Sequence, residues 1–251
     1  MKQASFRFYA ELNDFLPGER GAEVAYRFKG NPGIKDAIEA MGVPHTEVDL
    51  ILINGESVGF GRKLQHGDRV SVYPVIESLD IHGLTKVRPK PLRRMRFILD
   101  THLGRLAAYL RMMGFDARYQ NDYADETLAR ISREEGRVLL TKDRGLLRRS
   151  QVTHGYCVRA VQPRRQLREV LKRFDLFSLA SPFTRCMRCN GELDQVTKRE
   201  VADQLPSRTR QEHNRFKRCR DCGGVYWPGS HYRRMQQLIE QIGREVGSKT
   251  D

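Results

Sequence analysis

Two pairs of cysteines carry the most specific chemical signal in the chain. Cys186 and Cys189 form one pair, Cys219 and Cys222 form the other, and two residues separate the members of each pair. Pairs with this spacing form tight knuckles, and four thiolates complete the ligand shell of a tetrahedral structural Zn²⁺. The sequence therefore predicts a zinc ribbon whose metal is structural. A redox dithiol, or chance pairing, is the alternative interpretation.

The fifth cysteine is expected to be buried, and the apolar segments indicate in which cellular compartment the protein lies. Cys157 lies in an apolar segment, where a small buried side chain is expected and not a nucleophile. No secretory signal is expected, because the sequence does not begin with a basic segment followed by an apolar one, so the cysteine pairs are expected to bind metal and not to form disulfides. The longest aliphatic run, residues 50–53, is much shorter than the ~20 residues of a membrane span. These features predict a cytoplasmic protein without a membrane partner.

Aspartates at the ends of two apolar segments form a second group of chemically suggestive residues. Residues 96–99 and 137–141 have the composition of buried strands, and Asp100 and Asp143 stand at their carboxyl ends. In open α/β sheets, ligands bind beyond the carboxyl ends of the strands, so both side chains are expected at one edge. A simple turn beginning at Asp143 is the alternative for that residue.

A third carboxylate is expected to join these two. Asp125 opens the helix predicted between the strands, and Asp122 is a second candidate for the same role. Converging carboxylates repel one another unless a dication neutralises them, and ligation by oxygen alone suits Mg²⁺ or Mn²⁺. Such a cluster supports phosphodiester hydrolysis, because bound dications polarise the phosphoryl oxygen and lower the pKa of bound water. Either aspartate can instead be a helix cap.

Charge is distributed unevenly along the chain and indicates a polyanionic partner. The chain has 45 Lys and Arg residues against 31 Asp and Glu residues, for a net charge of +14. Residues 1–78 carry a balance of −2, so residues 79–251 carry +16. A segregated excess of this size favours nucleic acid over a membrane as the partner. A solubilising surface explains the net charge but not its segregation.

The first 80 residues are predicted to form a small α/β domain. The expected elements are strands at residues 6–10 and 24–28, a short amphipathic helix at residues 34–41, and strands at residues 48–53 and 69–73. An Asn54-Gly55 turn follows the third of these strands. This order resembles the β-grasp fold of ubiquitin-like sulfur carriers. Those carriers act through a free C-terminal Gly-Gly, whereas this segment continues through residues 75–78 into the chain. The resemblance therefore implies a domain that docks a protein partner and carries no chemistry.

The rest of the chain is predicted to contain a linker, an α/β domain and the ribbon. Residues 81–95 are expected to be a basic linker, because residues 85–96 contain six basic residues, two prolines and no acid. Residues 96–180 alternate strands with helices, which is typical of a mainly parallel sheet covered by helices. The predicted strands are 96–99, 116–120, 137–141 and 155–161, and the predicted helices are 103–113, 125–136 and 166–174. The ribbon and a final helix are assigned to residues 181–251.

Several separated strings resemble one known family. They are FILDTHLGRLAAYLRMMGFDARY from residue 97, DYADETLARISREEGRVLLTKDRGLL from residue 122, the cysteine motifs CMRC and CRDC, and VYWPGSHYRRM from residue 225. In this order, over roughly residues 95–236, they are similar to the C-terminal RNase domain family named after the Mut-seven exoribonuclease, a branch of the PIN-like nucleases. A β-grasp domain ahead of this module is also an arrangement of that family.

The resemblance implies a PIN-like fold and metal-dependent ribonuclease activity. It places Asp100, Asp125 and Asp143 as the acidic metal ligands, with Asp122 as a lesser candidate. PIN nucleases commonly use a fourth carboxylate after a later strand, whereas this chain has Gln162-Pro163-Arg164 there. The departure implies either a metal shell completed by solvent or weak or absent catalysis.

Basic and polar residues near these motifs are candidates for RNA binding. Lys142, Arg144 and Arg148 flank one of the aspartates and are expected to hold the phosphate backbone, with an affinity that falls as salt rises. Ser230 and His231 lie in a string shared with the family and are candidates for contacts with phosphate. A solvated helix face, and a helix cap at Ser230, are the competing interpretations.

The sequence thus predicts an α/β protein of three parts, namely a β-grasp domain, a PIN-like nuclease domain and a zinc ribbon. The expected reaction is hydrolysis of RNA, with Mg²⁺ or Mn²⁺ as the catalytic metal and Zn²⁺ as the structural one. A non-catalytic RNA-binding adaptor, in which the ribbon and the basic surface bind RNA, is the leading alternative. A scaffold for sulfur transfer or conjugation is a third possibility, which the missing Gly-Gly end disfavours.

Overall fold

A computed structural model describes residues 1–74, 86–87 and 95–247 of the chain. The strands are β1 (Lys2–Phe8), β2 (Glu23–Phe28), β3 (Leu50–Ile53), β4 (Glu56–Val58), β5 (Arg69–Tyr73), β6 (Arg96–Leu99), β7 (Asp116–Arg118), β8 (Val138–Thr141), β9 (Gly155–Cys157), β10 (Leu193–Val196), β11 (Phe216–Cys219) and β12 (Val225–Tyr226). The α-helices are α1 (Ile34–Ala40), α2 (Gly104–Met112), α3 (Asp125–Glu135), α4 (Arg144–Arg148), α5 (Pro163–Arg173), α6 (Ser207–Glu212) and α7 (Ser230–Gly247). The basic linker expected at residues 81–95 lies outside the described residues, except at 86, 87 and 95.

The described residues form two compact units, and each unit contains two separate stretches of the chain. The first unit contains the described residues of 1–94 together with residues 125–157, and the second contains residues 95–124 and 158–247. None of the helices in this described part is both long and apolar enough to cross a lipid bilayer.

A five-stranded sheet of order β2-β1-β5-β3-β4 belongs to the first unit. β1 and β5 run parallel, with Phe6 opposite Val70 and Phe8 opposite Val72, and the other neighbouring strands are antiparallel. Successive side chains of a strand face opposite sides, so Phe6 and Phe8 enter the core together. This arrangement, with α1 between β2 and β3, confirms the predicted β-grasp fold.

The Asn54-Gly55 turn forms a hairpin whose second strand was not predicted. Both residues have positive φ, 52° and 88°, as the tight hairpin turn favoured by Asn-Gly requires. β4 follows the turn directly and pairs antiparallel with β3, with Ile53 opposite Glu56. β4 has only three residues, none of them buried, so hydrophobic alternation did not reveal it.

The first unit also contains α3, β8, α4 and β9. β8 and β9 are parallel, with Leu139 opposite Gly155 and Thr141 opposite Cys157. All four residues of β8 are buried, which confirms the strand predicted at residues 137–141. Parallel neighbours of this kind belong to sheets covered on both faces.

Buried polar contacts join the β-grasp segment to β9 and the turn before it. A short 3₁₀ turn, His45–Glu47, supplies two of the side chains. His45 Nε2 lies 2.9 Å from the carbonyl oxygen of Val152, and the carboxylate of Glu47, which is 0% exposed, accepts a hydrogen bond from the backbone N–H of Cys157. These contacts satisfy backbone groups that burial would otherwise leave without partners.

The second unit contains another parallel strand pair, β6 with β7, together with α2 and α5. Phe97 lies opposite Ala117 in this pair. α5 begins at Pro163, three residues before the predicted start, because proline is favoured in the first turn of a helix. The strand predicted at 155–161 is shorter, because the N–H groups of Arg159 and Ala160 donate to the carboxylate of Glu169 and not to a neighbouring strand.

The cysteine-rich region forms a small antiparallel sheet of order β10-β11-β12. The stretch between β10 and β11 contains a 3₁₀ segment, Arg199–Gln204, and the short α6, neither of which was predicted. Val201, Leu205 and Phe216 form a buried cluster in this region, and Trp227 packs against it. The lone tryptophan is therefore a packing residue of the ribbon.

Replacing Glu47 by alanine is expected to lower the free energy of unfolding by about 1–3 kcal/mol, because the N–H of Cys157 then loses its buried acceptor. Chemical denaturation followed by circular dichroism measures this change. Glu56→Ala is the matched control, since Glu56 is exposed on β4 of the same unit. A loss of stability for Glu47→Ala no larger than for Glu56→Ala would contradict the importance of this contact.

Candidate metal centre and acidic site

The two cysteine pairs meet at one point of the second unit. The Sγ atoms of Cys186, Cys189, Cys219 and Cys222 all lie within 4.8 Å of one another. Two of these separations are 3.6 Å, between Cys186 and Cys222, and 3.3 Å, between Cys189 and Cys219. Two backbone turns position the sulfurs, with the N–H of Asn190 donating to the Cys186 carbonyl and that of Gly223 to the Cys219 carbonyl. These four side chains can hold a metal ion.

The geometry fits a tetrahedral thiolate shell. A tetrahedron with Zn–S bonds of about 2.3 Å has S–S edges of about 3.8 Å, close to the observed separations. Gly191 permits this approach, because a Cβ there would lie 2.9 Å from Cys219 Sγ and 2.6 Å from a carboxylate oxygen of Asp221. All four ligands are sulfur, which leaves no open coordination position, so a metal held here is structural.

The thiols of Cys186 and Cys189 are in very different environments. Burial raises the pKa of Cys186, but hydrogen bonds from the Tyr226 hydroxyl, 3.0 Å away, and from backbone N–H groups lower it to about 7. Burial raises the pKa of Cys189 to about 12, and hydrogen bonds with the other sulfurs act in the same direction. Four thiolates this close together repel one another. The positive charge of a bound dication offsets this repulsion, and a thiol that coordinates it is deprotonated.

Asp100 belongs to the second unit and follows β6 directly. It is buried and caps a short 3₁₀ turn, Thr101–Leu103. One carboxylate oxygen, Oδ1, accepts hydrogen bonds from the backbone N–H and the hydroxyl of Thr101, at 2.5 and 3.2 Å. The strand and the cap together hold the carboxylate at the carboxyl end of β6.

Asp143 and Asp125 belong to the first unit. Asp143 is exposed beyond the carboxyl end of β8, and its Oδ1 caps α4 by accepting from the N–H of Gly145 at 2.6 Å. Asp125 is the first residue of α3, and its Oδ2 lies 3.5 Å from a guanidinium nitrogen of Arg149. Asp122 is exposed in the second unit, between β7 and α3.

The cysteines are the only group in the described ranges in which three or more candidate ligand atoms of His, Cys, Asp or Glu lie within 4.8 Å of one another. The aspartates are held by separate units, and the structure fixes the position of each within its own unit. The acidic metal site therefore stays a prediction.

Two of the candidate RNA-binding arginines contact the β-grasp segment. Arg144 donates to the carbonyl oxygen of Asp14 at 3.3 Å, and its guanidinium lies 4.8 Å from the centre of the Phe15 ring. Arg148 donates to the carbonyl oxygen of Gly42 at 2.9 Å. Both residues therefore contribute to the packing of the first unit, whatever their role toward RNA.

The other candidates for RNA binding are exposed to solvent. They are Lys142, Ser230 and His231. Ser230 is the first residue of α7, so the competing interpretation of a residue at a helix start agrees with its position. Cys157, expected to be a small buried side chain, is indeed buried at the end of β9.

Sequence reasoning missed Arg111 and Asn190, which contact the knuckle of the first cysteine pair and the strand β7. Arg111 donates to the carbonyl oxygens of Met187 and Arg188, and Asn190 accepts from the N–H of Ala117. One signal was available, since Arg111 lies four residues after the buried Ala107 and so carries charge beside the apolar face of α2.

Comparison with known families assigns both parts of the chain. Residues 95–239 match the family described as the Mut7-C RNAse domain, and residues 1–80 match the Mut7-C ubiquitin family. Because the first match covers more than half of the chain, the chain belongs to the Mut7-C RNAse domain family. This confirms the resemblance that the sequence strings indicated.

Individual relatives cover smaller parts. The chain is 33% identical over 121 residues to a human protein named exonuclease mut-7 homolog, a match that covers 46% of this chain and 14% of that protein. Two crystal structures of small archaeal modifier protein 1 from Haloferax volcanii each align with 30% of this chain, at 18% identity, with TM-scores of 0.26 and 0.25. They cover 100% and 97% of the archaeal chains.

Proposed function

We propose that this chain is a metal-dependent ribonuclease that hydrolyses RNA phosphodiester bonds. Membership of the Mut7-C RNAse domain family carries the proposal. The placement of Asp100 and Asp143 supports it, because each stands at the carboxyl end of a parallel strand, where α/β sheets bind their ligands.

The proposed catalytic metal is Mg²⁺ or Mn²⁺, held by Asp100, Asp125 and Asp143, with Asp122 as a lesser candidate. The donor set fits, since carboxylate oxygens are the ligands these ions prefer. Asp143 uses Oδ1 as a helix cap, and within the described ranges its Oδ2 accepts no hydrogen bond and so is available to a cation. When bound, such a cation polarises the phosphoryl oxygen and lowers the pKa of the attacking water.

The caps on the two strand-end aspartates position them for this role. A carboxylate whose one oxygen is fixed by a backbone N–H has a defined direction for its second oxygen. No acid occupies the segment after β9, where Gln162 precedes α5, so water would complete the cation's shell.

RNA is the proposed substrate, and positive charge supports it. The excess of +16 lies in residues 79–251, and exposed Lys142, Ser230 and His231 are proposed to contact phosphates. We propose that the ubiquitin-like domain, residues 1–80, binds a protein partner, and that the chain functions in the cytoplasm, where thiols stay reduced.

The metal proposed for the cysteine cluster is Zn²⁺. Its role is structural, because the four sulfurs fill the tetrahedral shell and the surrounding region has a small apolar core. Metal binding then contributes folding free energy to the ribbon.

Freshly purified protein is expected to contain about one zinc per chain, and Cys219→Ser is expected to lose it, because the variant leaves three thiolates. Elemental analysis by mass spectrometry measures both. Cys157→Ser is the matched control, as Cys157 is a buried cysteine outside the cluster. Zinc-free wild-type protein, or full zinc occupancy in Cys219→Ser, would exclude the site.

Pure protein is expected to cleave RNA with Mg²⁺ or Mn²⁺ and to stop when EDTA is added. Asp100→Asn and Asp143→Asn are each expected to lower the cleavage rate by at least about 100-fold, because each removes an anionic ligand of the catalytic cation. Asparagine can still accept the backbone hydrogen bonds that the two caps require, so the fold is expected to persist. Cleavage of labelled RNA on denaturing gels measures the rate.

Asp203→Asn is the control for this assay, since Asp203 is exposed in the ribbon region and outside the proposed site. The variants are expected to bind RNA as tightly as the wild type in filter binding. RNA binding without cleavage at any metal concentration would instead favour the non-catalytic adaptor. Full activity of both Asp100→Asn and Asp143→Asn would exclude the proposed ligand set.

A further inference from the structure

Arg111 is a buried cation that the proposed reaction does not use. It lies near the C-terminal end of α2 and is only 4% exposed. Its Nε donates to the carbonyl oxygen of Ala117 at 2.8 Å, and its Nη1 donates to those of Met187 and Arg188 at 3.1 and 2.9 Å. In the described part of the chain, no carboxylate forms a salt bridge with it. A buried guanidinium in this position needs another source of negative charge.

The cysteine cluster is the larger of two adjacent sources of negative charge, and the carboxylate of Asp116 is the other. Met187 and Arg188 are the two residues between Cys186 and Cys189, so the guanidinium lies against the first knuckle. Burial lowers the pKa of Arg111, whereas the neighbouring thiolates of Cys189 and Cys186, and to a smaller extent the carboxylate of Asp116, act in the opposite direction. Four thiolates around one Zn²⁺ carry a net charge of −2, which a buried cation offsets.

The knuckle is also bound to β7 through Asn190. Its side-chain Oδ1 accepts from the N–H of Ala117 at 2.9 Å, and its Nδ2 donates to a carboxylate oxygen of Asp116 at 2.7 Å. Ala117 is therefore held at both ends of its backbone, by Asn190 at the N–H and by Arg111 at the carbonyl. Ala117 pairs with Phe97 of β6, the strand that ends at Asp100.

We propose that Arg111 is the counter-charge of the zinc centre and couples zinc binding to the order of β7. This inference rests on the zinc site proposed above. Arg111 is a positioning residue, because it touches the knuckle backbone and the strand but neither the metal nor RNA. Arginine suits this role better than lysine, since its planar fork reaches three carbonyl oxygens while a lysine offers one point charge.

The test compares the zinc affinities of four full-length proteins by competition with a chromogenic chelator. The proteins are the wild type, Arg111→Met, Arg111→Lys and the control Arg105→Met, which changes an exposed arginine of the same helix. Arg111→Met is expected to weaken zinc binding about 10- to 100-fold, the range seen when an outer-shell partner of a metal site is removed. The zinc affinity of Arg111→Lys is expected to lie between those of Arg111→Met and the wild type. The zinc affinity of Arg105→Met is expected to equal that of the wild type.

Hydrogen–deuterium exchange of the wild type supplies a measurement that needs no variant and so does not depend on the folding of Arg111→Met. Removing zinc with EDTA is expected to increase exchange at the amide of Ala117 and its neighbours in β7. β1, in the first unit, is expected to exchange as before.

The outcomes separate the two proposals. If the wild type binds no zinc, both the zinc site and this inference fail. If the wild type binds zinc but Arg111→Met and Arg111→Lys bind it as tightly as Arg105→Met, the zinc site stands and the role of Arg111 is overturned. Unchanged exchange at Ala117 after zinc removal would likewise overturn the coupling to β7.

Discussion

Repulsion between ligand groups of like charge is the constraint on which both proposed metal sites depend. Four sulfurs lie within 4.8 Å of one another in a region whose buried cluster consists of Val201, Leu205 and Phe216. As thiolates they cannot remain this close without a cation, and as thiols they contribute little to stability. The close approach of the four sulfurs in the ribbon therefore supports the proposal that a dication binds there. The same reasoning applies to the proposed acidic site, where a divalent cation would offset the repulsion between the carboxylates of the aspartates.

The ubiquitin-like domain and the ribbon each share a compact unit with aspartates of the proposed catalytic site. In the first unit, Glu47 accepts from the N–H of Cys157, and Arg144 and Arg148 donate to carbonyl oxygens of the β-grasp segment. The ubiquitin-like domain thus shares a packed unit with β8, which leads to Asp143. In the second unit, Arg111 and Asn190 bind the first cysteine knuckle to β7, which pairs with β6. The ubiquitin-like domain and the ribbon therefore both pack against elements of the RNase domain within their own units.

Much of the fold could be predicted because its signals are local. Alternation in β1, the Asn54-Gly55 turn and the apolar run of β8 each determine a short element, and the cysteine spacing indicates a ligand set regardless of the loop between the pairs. The strings that resemble the Mut-seven family also predicted the order of the domains along the chain. Elements that depend on capping or tertiary contact, such as α4, which begins directly after its N-cap Asp143, were not predicted.

The contacts that could not be predicted join residues far apart in the chain. Arg111 and Met187 are 76 residues apart, and Glu47 and Cys157 are 110 apart, so no local pattern relates them. The predicted use of Arg144 and Arg148 illustrates the same difficulty. Their charge suggested RNA, while their contacts with Asp14, Phe15 and Gly42 depend on tertiary packing.

The two proposed metal sites can be located in a crystal of the wild-type protein soaked in Mn²⁺, by measuring anomalous scattering at the zinc and manganese edges. We expect zinc among the four cysteine sulfurs and manganese bonded to carboxylate oxygens of both Asp100 and Asp143. Density for manganese at neither aspartate, at a Mn²⁺ concentration that supports cleavage, would contradict the proposed acidic site.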